Sequence, residues 1–111
     1  MIPEGKLVRI FIGESDTWEG VPLYHALVET ARRLGMAGAT VLRGIEGYGA
    51  SSVVHTTRLL RLSEDLPVVV ELVDRADNVD RFLEEIDGMI SEGLVTVENV
   101  EVRMYRSRNP Q

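Results

Sequence analysis

Apolar residues alternate along the first ordered stretch. From Leu7 to Ile12, Val8, Ile10 and Ile12 fall on one side, while Leu7, Arg9 and Phe11 fall on the other, the period-two pattern of a strand. The polar run Gly13 to Pro22 (GESDTWEGVP) reads as a loop, and Pro22 suits the first turn of a helix, where a missing N–H costs nothing. The period then lengthens. Tyr24, Leu27, Val28, Ala31 and Leu34 line one stripe of a helix from about Val21 to Leu34, with His25, Glu29, Arg32 and Arg33 opposite. Gly35 stands where glycine commonly ends a helix. A second strand is expected over roughly Ala39 to Ile45, with Thr57 to Leu62 a candidate short extended piece. Pro67 to Val73 (PVVVELV), rich in β-branched residues, reads as a buried strand. Val79, Phe82, Leu83, Ile86, Met89 and Ile90 repeat at helical spacing, Asp77 or Asn78 is available as a cap, and Gly93 closes the segment. A last strand is expected near Val97 to Tyr105, with Val100, Val102 and Met104 on one face.

The order β-α-β-β-α-β predicts an α+β, ferredoxin-like fold: an antiparallel four-stranded sheet with two helices on one face. The length of 111 residues suits a single domain over residues 1–111. Leu7, Phe11 and their cross-strand neighbours would then lie on an uncovered face, which predicts an oligomer. Three sheets around a threefold axis would cover that face and place each glycine loop beside a neighbouring subunit. Apolar residues at 44% and charged residues at 27% are ordinary for a soluble domain. The net charge of −6 argues against broad nucleic-acid binding and against anionic membranes. Without cysteine there is no disulfide scaffold, thiolate nucleophile or cysteine zinc site. No segment has the pattern of a signal peptide or the length of a membrane span, so the cytoplasm is the expected compartment.

Candidate chemistry gathers in VLRGIEGYGASS, Val41 to Ser52, where Gly44, Gly47 and Gly49 precede Ser51 and Ser52. The loop joins strand to strand, so it is neither a Rossmann turn nor a P-loop. It is either a hairpin corner or a set of backbone amides and hydroxyls that meet an anion. His55 follows in the same loop and could face an anionic ligand, whereas His25 sits on a polar helix face; two histidines without cysteine make a poor metal site. Arg103, Arg106 and Arg108 are either solvated charges at a strand end or a phosphate clamp, and Arg103, inside the strand, is the one held in place. The acidic loop of Glu14, Ser15, Asp16, Trp18 and Glu19 is either a helix start with Trp18 packed down beside it, or a rim that recognises a partner. Ser51, His55 and Asp65 could be named as a triad, but nothing in their spacing supports one, so the expected protein is not an enzyme.

The pieces GES, WEG, PLY, GATV, RG, GYGASS and LSEDLPV, spread from Gly5 to about Tyr105, resemble the prokaryotic family labelled domain of unknown function 190. That family is similar in turn to the PII signal-transduction proteins, ferredoxin-like trimers that bind adenine nucleotides between subunits and dock onto transporters or enzymes through a long loop. The local match is Gly35, Gly38, Thr40 and Val41, then Gly47, Tyr48 and Gly49. The resemblance implies that Gly38, Thr40, Gly47 and Gly49 lie at a ligand cleft and that Arg103 matches one of its C-terminal arginines. The chain departs from PII at Ala50 and Ser51, where PII proteins carry arginine and glutamine. It departs again at Glu92, Gly93 and Leu94, which replace a lysine-bearing phosphate loop. The candidate ligand set is thus Gly38, Thr40, Arg43, Gly47, Gly49, Ser51, Ser52, His55 and Arg103, with Trp18 and Tyr48 as partner contacts and no metal. An adenine nucleotide is the candidate ligand, and no cofactor is fixed. The family's association with genes for fluoride-exporter-type membrane proteins implies a transport link. The expected function is a homotrimeric PII-like regulator that binds a small anionic metabolite or nucleotide between subunits and signals to a transporter or enzyme through the 47–63 loop. The alternative is a ligand-free structural adaptor of a membrane transport system.

Overall fold

A computed structural model describes residues 4–49 and 65–108. The strands are β1 (Glu4–Gly13), β2 (Thr17–Trp18), β3 (Val21–Pro22), β4 (Thr40–Arg43), β5 (Pro67–Asp74) and β6 (Leu94–Glu101). The helices are α1 (Leu23–Arg33) and α2 (Ala76–Ile86), the latter followed by a 3-10 turn at Asp87–Met89. The main sheet has the order β4-β5-β1-β6, every neighbouring pair antiparallel. β2 and β3 form a separate small hairpin. Apart from that hairpin, the order is the ferredoxin-like βαββαβ expected from the periodicities.

β1 lies between β5 and β6, so its alternation decides what each sheet face carries. Val8, Ile10 and Ile12 point to the helices beside Val68, Val70 and Leu72 of β5, and all six are buried. Leu23, Leu27 and Ala31 of α1 and Val79, Phe82 and Ile86 of α2 close the same core. The other face is built in register. Leu42, Val69, Phe11 and Leu94 form one cross-strand row; Thr40, Glu71, Arg9 and Thr96 form the next. Phe11, Leu42 and Leu94 stay 37%, 49% and 56% exposed, so this face is uncovered in the single chain.

Several boundaries differ from the sequence expectation. The run 13–22 is not a plain loop: Glu19 (φ 50°) and Gly20 (φ 87°) make the left-handed turn that folds Thr17–Trp18 onto Val21–Pro22. Pro22 pairs in that hairpin and stands just before α1 in extended geometry (φ −57°, ψ 137°), so α1 starts at Leu23. Trp18 is partly buried against the core, which favours its packing role. Gly35 (φ 77°) does end α1. β4 is shorter than Ala39 to Ile45 because its partner strand begins at Pro67, which has no N–H to extend the ladder. Asp77 and Asn78 do not cap α2. The helix begins at Ala76, and Asp77 is occupied by Arg75 at 2.7 Å. Met89 and Ile90 lie beyond the helix end at Ile86. β6 begins and ends earlier than Val97 to Tyr105, since its register is set by β1 from Phe11 back to Glu4. The candidate strand Thr57 to Leu62 lies outside the described residues.

Phe82 is the largest fully buried side chain among the described residues and belongs to the apolar core cluster. Phe82→Ala is expected to cost about 3–5 kcal/mol in urea unfolding, with far-UV circular dichroism retained in the absence of denaturant.

Candidate functional site

The chain leaves α1 through a turn that is tied down at both ends. Leu34 N–H donates to Thr30 O and Met36 N–H to Ala31 O, each at 3.0 Å, while Arg81 of α2 donates to Leu34 O at 2.8 Å. Asp74, the last residue of β5, then organises the next step. One carboxylate oxygen accepts from Ala37 N–H at 2.9 Å; the other accepts from the Asn78 side chain and Arg75 N–H, both at 2.8 Å. The segment 37–39 is thereby fixed to the end of β5 and the start of α2, directly before Thr40 opens β4.

On the far side, the chain runs on from β6 without regular secondary structure. Val102 turns back over Gly5, where a Cβ would come within 3.1 Å of the valine side chain. Between residues 37–39 and 100–105 lies a groove of about 990 Å³, floored by Leu7, Thr40, Glu71 and Val73 of the open sheet face. Its lining is mainly apolar, and Gly38, Thr40 and Arg103 meet around it. No atom lies within 4 Å of a Cβ placed on Gly38, so its backbone is open to approach. Tyr105 and Met104 stand over the groove, half or more exposed.

Electrostatics single out Arg103. Glu71 is engaged by Arg9 at 2.9 Å, and Arg9 also reaches Glu98 at 3.2 Å. The hydrogen bond to Glu71, before any other cause, holds the Arg9 guanidinium above its usual range and so permanently ionised. Asp77 is held below the ordinary carboxylate range, chiefly by its hydrogen bond from Arg75. Arg103, by contrast, has no hydrogen bond or ion pair among the described residues and faces the groove. A planar apolar body with one anionic group matches this arrangement of apolar lining and single cation.

The other candidates fall elsewhere. Arg43 is at the far end of β4 and in the row of Val68, on the helix side of the sheet, whereas Thr40 is on the open side. Its guanidinium pairs with Glu14. Gly44 N–H donates to Pro67 O at 2.7 Å, and a Cβ on Gly47 would crowd the Pro67 ring at 3.0 Å. Gly49 and Tyr48 are exposed. Ser51, Ser52, His55 and most of the 47–63 loop lie outside the described residues. The triad suggestion of Ser51, His55 and Asp65 is therefore represented here by Asp65 alone.

Asp65 has a different part. Its backbone is left-handed (φ 49°), and its carboxylate accepts from Ser15 N–H at 3.2 Å and Ser15 Oγ at 2.8 Å. Glu14 N–H donates to Leu66 O at 2.8 Å. A Cβ on Gly13 would collide with the Asp65 carboxylate. The GES run thus holds residues 43 and 65–66 together, a role invisible from sequence because its partners stand 29 and 50 residues away. Asp74 was equally hidden, its signal being only an acid at a strand end.

Asp74→Ala is expected to lower stability by about 1–3 kcal/mol in urea unfolding. It should also speed amide exchange at Ala37, which would distinguish loss of this tether from general loosening.

The sequence profile of the family DUF190, described as uncharacterized ACR, matches residues 5–102. A UPF0166 protein of Aquifex aeolicus is 47% identical over 97 residues, covering 87% of this chain and 91% of the relative. A UPF0166 protein of Methanocaldococcus jannaschii is 35% identical over 100 residues, covering 89% and 92%. Among solved structures, CPII of Thiomonas intermedia, bound to ADP and bicarbonate, superimposes with a TM-score of 0.64 at 17% identity, covering 89% of this chain and 88% of that one. At that identity the likeness concerns the fold.

Proposed function

The chain belongs to the DUF190 family, and on that premise we propose that it is a PII-like regulator whose ligand, a small anionic metabolite or adenine nucleotide, occupies the groove of Gly38, Thr40 and Arg103. The carrying observation is the convergence of an open glycine backbone, a hydroxyl and a guanidinium unpaired among the described residues on a mainly apolar groove. The fold shared with CPII, a protein seen with ADP and bicarbonate, supports an adenine nucleotide as the first ligand to try. The groove opens on the uncovered sheet face, so in a trimer packed through that face a neighbouring subunit would close it. Gly47, Gly49, Ser51, Ser52 and His55 would then act from the 47–63 loop, with Tyr48 toward a transporter or enzyme target. Arg43, held by Glu14, would position the loop rather than touch ligand.

Thermal unfolding with AMP, ADP and ATP tests the ligand. A binder at a hundredfold excess over Kd adds about 2.7 kcal/mol, a rise of several degrees in Tm. Arg103→Ala should weaken that binding by roughly ten- to a hundredfold without moving the Tm of the free protein. No shift with any of the three at millimolar concentration would favour the ligand-free adaptor.

The assembly is tested separately. Phe11 stands in the middle of the apolar row Leu42–Val69–Phe11–Leu94. Phe11→Asp should convert a trimer to a folded monomer in light scattering and abolish nucleotide binding with it. A wild-type monomer at micromolar concentration would rule out a site between subunits.

A further inference from the structure

The open sheet face carries more acid than base. On the strands of that face Arg9 is the one cation among the described residues, with Arg103 beyond them at the groove, and Arg9 is shared by two carboxylates, Glu71 at 2.9 Å and Glu98 at 3.2 Å. Glu71 takes the shorter contact and is the more enclosed, its side chain 30% exposed against 59% for Glu98. Glu98 sits toward the edge in β6, opposite Leu7, so covering this face would bury a carboxylate with only half a partner. Burying a charge without a counterion is costly, so whatever covers the face must bring a cation.

The same chain has cations to spare at one place. Residues 102–108 (VRMYRSR) contain three arginines and no acid, in a chain of net charge −6. Arg106 and Arg108 are exposed and make no hydrogen bond or ion pair among the described residues. Met104 and Tyr105 in the same segment are 63% and 57% exposed. Residues 102–105 line the groove on the open face, so Arg106 and Arg108 follow beside the surface that a neighbouring copy would cover. The segment can therefore reach a neighbouring copy.

We propose that Arg106 and Arg108 of one copy dock on the Glu98 side of the open sheet face of the next and supply the cation that Glu98 lacks. The contact is heterologous, tail to face, and it closes into a ring when the rotation between copies permits. It rests on the assembly proposed above, and adds that the assembly is held by charge as well as by apolar contact. Arg103 remains at the groove and takes no part.

Sedimentation equilibrium of the full chain at 0.05 M and 0.5 M NaCl tests this, using wild type, Glu98→Gln, the pair Arg106→Gln with Arg108→Gln, and all three together. Circular dichroism checks that each form folds. Salt should weaken wild-type association, because exposed charges are screened beyond about 10 Å at 0.1 M. Glu98→Gln and the arginine pair should each weaken it about tenfold at low salt, and the combination about tenfold rather than a hundredfold. Additive effects, or an arginine pair that associates as tightly as wild type, would overturn the docking while leaving the assembly itself standing. A wild type that is monomeric at both salt concentrations would overturn the docking together with the assembly.

Discussion

Everything in this molecule hangs on the parity of one strand. β1 is bonded on both sides, to β5 through eight register pairs and to β6 through eight more. Because side chains alternate, a slip of one residue would send Val8, Ile10 and Ile12 to the open face and Arg9 into the core beneath α1 and α2. A guanidinium there would have no counterion, since among the described residues the core is apolar but for Thr30, whose hydroxyl donates to Ala26 O at 2.8 Å. The cost of burying Arg9 therefore guards the register as firmly as the gain from burying Ile10. With β1 fixed, the rows of the open face, the place of the groove and the separation of Thr40 from Arg43 all follow.

The periodicities conveyed this frame well. Alternation in 7–12, the β-branched run 67–73 and the helical repeat through Phe82 are each properties of neighbouring residues, and each element appeared where its pattern lay. The errors share a cause. Pro22, Asp77 and Asn78 were read by their local preferences for helix starts, whereas their positions are set by pairings across the fold: Pro22 with Thr17, Asp77 with Arg75, Asn78 with Asp74. β6 kept its type but shifted toward the N-terminus, because its limits belong to β1 rather than to its own sequence.

Part of the candidate site's geometry was legible too. Gly38, Thr40 and Arg103 were singled out from a family likeness, and the structure brings these three around one groove. Arg43 lies three residues past Thr40, an odd spacing that places it on the opposite sheet face in a strand. That much could have been read from the strand assignment itself. The tether from Asp74 and the grip of Ser15 on Asp65 could not, because a side chain that accepts a distant backbone N–H leaves no period in the sequence.

The sheet's two edges are unequal, four residues in β4 against eight in β6. A stacked fibril needs long, flat, uncharged edges that repeat from copy to copy. Here β4 is cut short by Pro67 beside it. A second β6 laid on the first would meet a carboxylate on each face of the seam, Glu98 on the open side and Glu101 on the other, and these charges disfavour the pairing. Endless growth along the hydrogen-bonding direction is thus disfavoured at both sides. The shortness of one edge strand and the carboxylates of the other both act against fibril growth, which leaves the apolar face as the surface where copies of this acidic chain would meet.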